Sequence, residues 1–162
     1  MKTTSLEGKV LAWPVRVWGE RGRLAGRGGS VITQEFHAPS HLGVDIAIAG
    51  HYTDHELVGE VVALEAGRVA QATVGERGHY VLLDHGDWAS GYLHLGALDV
   101  TQGDAVQRGQ RLGQMGADPL DAEGIVHLHL QLAPGGVPVD PAPYLSAASS
   151  PAALPATAAV PR

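Results

Sequence analysis

His41-Leu42-Gly43-Val44-Asp45 sets an imidazole and a carboxylate four residues apart, with a glycine between them. In an extended strand residues i, i+2 and i+4 share a face. His41 and Asp45 are therefore expected to project together, and Gly43 leaves room between them for an ion and its water. His127-Leu128-His129-Leu130-Gln131-Leu132 alternates strictly, which puts His127, His129 and Gln131 on one face and three leucines on the other. Tyr92-Leu93-His94-Leu95 repeats the pattern, with Tyr92 and His94 expected to share a face against Leu93 and Leu95. Each run alone has an ordinary structural reading: a surface pair, or a satisfied half-buried histidine. Their combination points to metal chemistry.

A hydrolytic zinc site uses three protein ligands and an open fourth position for water. Two imidazoles and one carboxylate meet that need and leave charge to polarise a carbonyl. Further imidazoles near the open position can accept the water's proton or stabilise the oxyanion. The chain has no Cys, so disulfides and thiolate-bound zinc are both excluded, and any metal must be held by its nine His or by Asp and Glu. The net charge of −6 argues against a nucleic-acid partner. The Arg/Gly stretch at residues 16–27 reads as a solvated loop.

The elements that must position these residues read as short strands. Residues 31–36, 43–49, 60–64, 68–74, 80–84, 91–95 and 126–132 are runs rich in apolar and β-branched side chains. Turn residues separate most of them, which suits an all-β meander or barrel. Twenty-two Gly and ten Pro agree with many turns, and little of the chain shows helical periodicity. At 162 residues, 44% hydrophobic and 17% charged, the composition is that of one soluble globular domain. No apolar stretch is long enough to cross a bilayer. Residues 1–29 read as a leading segment with one short strand at 10–17, residues 30–145 as the folded domain, and residues 146–162 as a disordered Ala/Ser/Pro tail.

His-Leu-Gly-Val-Asp, then Gly-Tyr-Leu-His-Leu, then His-Leu-His, in this order, resembles the lysostaphin-type (LytM-type) zinc peptidases that cut peptidoglycan. Gly67-Arg68-Val69, Val81-Leu82-Leu83-Asp84-His85-Gly86, Gly103-Asp104-Ala105-Val106, Gly109 to Gly113, Val137-Pro138-Val139-Asp140-Pro141 and Tyr144-Leu145 match as well. The likeness covers residues 31–145. It implies a compact antiparallel β-sheet or barrel-like domain with an active-site groove. It also implies one Zn2+ per chain on His41, Asp45 and His129, with His94 and His127 as catalytic histidines. The activity implied is endopeptidase cleavage of stem or cross-bridge peptides of peptidoglycan, by a monomer that neither inserts into a membrane nor binds nucleic acid.

Three departures from the family pattern stand out. Gln131 occupies a position where an acidic residue is usual, Phe36-His37-Ala38-Pro39 replaces the usual Gly and Arg, and His51-Tyr52-Thr53-Asp54-His55-Glu56 is an insertion. Among the other histidines, His37 is separated from His41 by a turn at Pro39. His51 and His55 read as loop residues, His85 as structural, and His79 as a strand residue without signal. A non-catalytic domain that binds the wall or activates another hydrolase is the alternative, although such domains lack a ligand or a catalytic histidine and this chain keeps all five. A phosphocarrier remains a rival that zinc binding would separate. A lipoyl domain is excluded because Lys2 and Lys9, the only lysines, lie near the N-terminus. Action on peptidoglycan places the protein outside the cytoplasmic membrane, yet no signal peptide is legible. A phage lysin or virion-borne hydrolase would fit that combination, as would a trimmed chain.

Overall fold

A computed structural model describes residues 6–18, 30–48, 58–76, 78–117, 124 and 126–146. The 51–56 insertion, and with it His51, Asp54 and His55, lies outside these residues, as do residues 19–29 and 147–162.

The described chain is almost entirely β. Its strands are β1 (Val15–Trp18), β2 (Ser30–Gln34), β3 (Val44–Ile48), β4 (Val58–Val62), β5 (Gly67–Gly75), β6 (Gly78–Asp84), β7 (Trp88–Leu98), β8 (Ala105–Val106), β9 (Arg111–Ala117) and β10 (Val126–Pro134). One 3-10 turn, Ala142–Tyr144, is the only helix among the described residues. The expected antiparallel all-β architecture is therefore what forms. The strands make one sheet in the order β1-β4-β9-β10-β7-β6-β5-β8, with β3 also on β10 and β2 on β3. Ala63, just past β4, exchanges backbone hydrogen bonds with Gly109 and Gln110 (2.8 and 2.9 Å), just past β8. These bonds carry the β4–β9 ladder one step beyond Val62 and Arg111. The sheet does not close on itself.

Alternation accounts for which face is buried. Along β10, Leu128, Leu130 and Leu132 are fully buried while His127, His129 and Gln131 are half-buried on the opposite face, as the sequence pattern requires. Val44 and Ile46 of β3, Val81 and Leu83 of β6, and Leu112 of β9 join the same core. β9 does not stand out in the sequence, because Arg-Leu-Gly-Gln-Met-Gly-Ala carries neither β-branched residues nor clean alternation. Neighbouring strands hold it in the sheet on both sides.

The leading segment packs as part of this fold. β1 pairs with β4, and Leu6, Leu11, Trp13, Val15 and Val17 belong to the core cluster. Trp13 Nε1 donates to the buried Ser30 hydroxyl at 2.9 Å. Leu11 forms a bridge with Leu145, its N–H donating to the Tyr144 carbonyl and its own carbonyl accepting from Ser146 N–H. Among the described residues no helix is long and apolar enough to cross a membrane.

β7 contains the feature that matters most for the site. Leu93 lies opposite His129 of β10, but Leu95 lies opposite Met115 of β9, so β7 changes partner at His94. On its other side, His79 to Val81 of β6 spans the same distance as Leu95 to Tyr92 of β7. β7 therefore carries one extra residue there, a bulge of the kind that re-aims a side chain.

Candidate metal centre

His41 is placed differently from the sequence expectation. β3 begins only at Val44, so His41 and Asp45 do not share an extended strand. Instead His37 and His41 close a small loop through two backbone hydrogen bonds of 2.8 and 2.7 Å. The His41 ring is then fixed by its Nδ1–H, which donates to the Glu35 carbonyl at 2.7 Å. That bond fixes the tautomer, leaving the Nε2 lone pair aimed at Asp45 Oδ1, 3.1 Å away. Two acceptors facing each other at this distance call for a cation or a proton between them.

His129 approaches the same carboxylate from β10, in direct register with Asp45 of β3. Its Nδ1 lies 2.8 Å from Asp45 Oδ1, and the His41 and His129 rings meet edge-on with centroids 4.9 Å apart. A Cβ at position 43 would lie 2.8 Å from His129 Nε2 and collide with the Leu130 carbonyl. Only glycine fits there. Donor atoms of His41, Asp45 and His129 all lie within 4.8 Å of one another, and no other such cluster occurs among the described residues. Two imidazoles and a carboxylate are the donor set of a hydrolytic zinc site.

Burial pushes the Asp45 carboxyl up, but the hydrogen bond from His129 and the charges of His127, His129 and His41 outweigh it. Together they hold the group below the ordinary carboxylate value. The carboxylate is thus ionised and available as a ligand at neutral pH.

The structure also brings His127 and His94 to this centre. His127 Nε2 lies 4.0 Å from Asp45 Oδ2. The His94 ring is 4.9 Å from that of His127 and 6.0 Å from that of His129, centroid to centroid. The expected face of His94 needs correction. Tyr92 is fully buried and Leu95 is buried with it in the core, so simple alternation fails between them. The bulge and a positive φ of 66° at His94 turn its ring to the side of β10's histidines. A positive φ in a residue with a Cβ is uncommon and marks a backbone held by its surroundings.

Two glycines do that holding. A Cβ on Gly116 of β9 would lie 2.9 Å from the His94 carbonyl oxygen and 2.6 Å from Gly96 N, and one on Gly78 of β6 would lie 3.3 Å from His94 Cα. Gly116 also pairs with His127 of β10. Neither glycine stands out in the sequence reading, although a glycine inside a strand pattern is itself a sign of close backbone approach.

The other histidines play other parts. His85 Nδ1–H donates to the Ala66 carbonyl at 2.7 Å, its Nε2 lies 2.8 Å from Ser90 Oγ, and the ring stacks on Trp88. Ser90 contacts the Tyr92 hydroxyl at 3.0 Å, which accepts from Leu64 N–H at 3.0 Å. Burial lowers the His85 pKa and raises that of Tyr92, so both are neutral members of a structural network. His79 is in β6, as expected of a strand residue. His37 shapes the loop that carries His41, and the metal-ligand cluster does not include it.

Residues 39–141, more than half of the chain, match the model of Peptidase family M23. The chain belongs to Peptidase family M23. A Pseudomonas aeruginosa protein, "Lipoprotein NlpD/LppB homolog", is 34% identical over 131 residues, covering 79% of this chain but only 39% of that protein. The fold of this M23 domain resembles that in the SpoIIQ-SpoIIIAH pore forming complex with a TM-score of 0.69 at 19% identity, covering 93% of this chain and 99% of that one. A zinc containing peptidase from Vibrio cholerae superposes with a TM-score of 0.57 at 26% identity over 68% of this chain and 35% of its own. The catalytic domain of lysostaphin from Staphylococcus simulans gives a TM-score of 0.55 at 23% identity, covering 71% and 90%. The resemblance to lysostaphin-type peptidases thus holds at the level of family and fold.

Proposed function

We propose that this M23 domain is a zinc-dependent endopeptidase that hydrolyses stem or cross-bridge peptides of peptidoglycan outside the cytoplasmic membrane. The observation that carries the reading is the convergence of His41 Nε2 and His129 Nδ1 on one oxygen of Asp45, at 3.1 and 2.8 Å. The zinc containing peptidase of Vibrio cholerae and lysostaphin support the chemistry, and the Pseudomonas aeruginosa lipoprotein supports the location.

His41, Asp45 and His129 would hold the metal. Zinc bound there would supply a Lewis acid and a water acidic enough to serve as nucleophile near neutral pH. His127 and His94, packed against each other beside the ligands, would take the proton from that water, steady the oxyanion and return the proton to the departing amine. The Glu35 carbonyl keeps His41 in the ligating tautomer. Every donor comes from one chain, so a single copy suffices and one zinc per chain is the expected load.

A second reading, a domain that binds the wall or acts through a partner, is favoured by the fold likeness to the SpoIIQ-SpoIIIAH complex over nearly the whole chain. The complete set of donors and flanking histidines favours the enzyme. Metal analysis of the purified protein, with digestion of purified walls and identification of new termini by mass spectrometry, tests both. About one zinc per chain, lysis abolished by chelation, and loss of both zinc and lysis in His129→Ala are expected. Full lysis by metal-free protein would overturn the zinc mechanism, and a zinc-loaded chain that cleaves no wall chemotype would leave the binding reading.

A further inference from the structure

The partner of His129 on the side away from Asp45 is Gln131. Its Nε2 lies 3.1 Å from His129 Nε2, while His129 Nδ1 faces Asp45 Oδ1 at 2.8 Å. The two side chains share the β10 face opposite Leu128, Leu130 and Leu132. In this arrangement Nδ1–H donates to the carboxylate and Nε2 accepts from the Gln131 amide, so one neutral tautomer is satisfied at both nitrogens.

Metal binding reverses these roles. A nitrogen that ligates a metal gives up its proton, and the proton of a neutral imidazole then resides on the other nitrogen. With Nδ1 on the metal, His129 Nε2 becomes a donor, and an amide N–H facing it would set donor against donor. The Gly43 backbone lies close behind the ring, near enough that a Cβ there would come within 2.8 Å of Nε2. The ring therefore has little freedom to seek another acceptor. Gln131 can supply one without moving its backbone, because rotating its amide by half a turn replaces N–H with C=O.

We propose that Gln131 is a positioning residue for His129, presenting N–H to the ring in the metal-free protein and C=O in the zinc-loaded one. The proposal rests on the reading of His129 as a ligand through Nδ1. A glutamine at this place serves both tautomers, whereas an ionised carboxylate can only accept and serves only the loaded form. The site is thereby held in shape before the metal arrives.

The test is zinc affinity, measured by chelator competition on the full chain, together with ¹⁵N imidazole spectra of His129. Gln131→Met, which keeps the volume and removes the hydrogen bond, should weaken zinc binding roughly ten- to a hundredfold, the usual scale for losing such a partner, because a metal-bound imidazole is the stronger donor and the loaded form loses more than the metal-free one. Gln131→Glu should restore or exceed wild-type affinity, because an acceptor is all the loaded form needs. In the wild type the spectra should show the proton moving from Nδ1 to Nε2 on zinc addition. Unchanged affinity in Gln131→Met, or zinc on Nε2, would overturn the proposal. The ligand reading fails separately, through a wild type that binds no zinc or a His129→Ala variant that binds it as tightly.

Discussion

His94 is the residue whose geometry and proposed task are most closely bound together. It carries a Cβ at a φ of 66°, a conformation that costs non-glycine residues about 1–3 kcal/mol. In an ordinary strand position glycine is less stable than alanine by about 0.5–1 kcal/mol. Here the order should invert: His94→Gly should unfold at higher denaturant than His94→Ala, by roughly 1 kcal/mol, since both lack the ring and only glycine relaxes the backbone. Both variants, and His127→Ala, should retain zinc while losing about a hundredfold or more in rate, the scale of a missing acid/base or oxyanion group. Equilibrium unfolding, metal content and wall turnover on the three proteins check this. Release of zinc by His127→Ala, with retention by His129→Ala, would reverse the assignment of the two β10 histidines.

At the scale of elements, the site sits where β7 leaves β10 for β9. Gly116 stands in that fork, opposite His127 on one strand and against the His94 carbonyl on the other. Gly116→Ala is expected to push the two strands apart and so displace both histidines, while His41, Asp45 and His129 lie on β3, β10 and the loop before β3. The expected result is a loss of at least tenfold in turnover with zinc affinity held near that of the wild type. Gly78→Ala, whose new Cβ would meet His94 Cα at 3.3 Å, should show the same split more mildly if it folds. Equal losses of affinity and turnover would mean that the fork supports the whole domain rather than the histidine pair.

Across the whole molecule, the two ends of the described chain are tied together. Leu11 bridges to Leu145, and Trp13, only 2% exposed, lies in the common core. Trp13→Ala should cost about 3–5 kcal/mol, the range for truncating a large buried aromatic. Ending the chain after Ser146 removes a stretch of Ala, Ser and Pro with little apolar area to bury, and should shift thermal stability by less than about 1 kcal/mol. Thermal and denaturant unfolding separate the two outcomes. A tail deletion as damaging as Trp13→Ala would show that the tail packs on the domain.

Local pattern was enough to read β10, because strict alternation of histidine with leucine has one stable solution when one face must be buried. Composition excluded thiolate ligation and pattern found most strands within a few residues, while His41, Asp45, His94, His127 and His129 were set apart from neighbours such as Tyr92 and Gln131 only by the resemblance to lysostaphin-type peptidases. Other features depend on contacts between residues far apart in sequence. The strand β9 has no pattern of its own and exists because β4, β7 and β10 supply its hydrogen-bond partners. His41 reaches Asp45 from a loop closed by His37 and oriented by the Glu35 carbonyl, not along a strand. The N-terminal segment joins the core because Leu11 and Trp13 find Tyr144, Leu145 and Ser30. His94 turns toward β10 because a bulge and two close glycines leave its backbone nowhere else to go. Period-two alternation predicts a side chain's face only while the register runs unbroken: it holds along β10 and fails in β7, where the bulge at His94 inserts an extra residue.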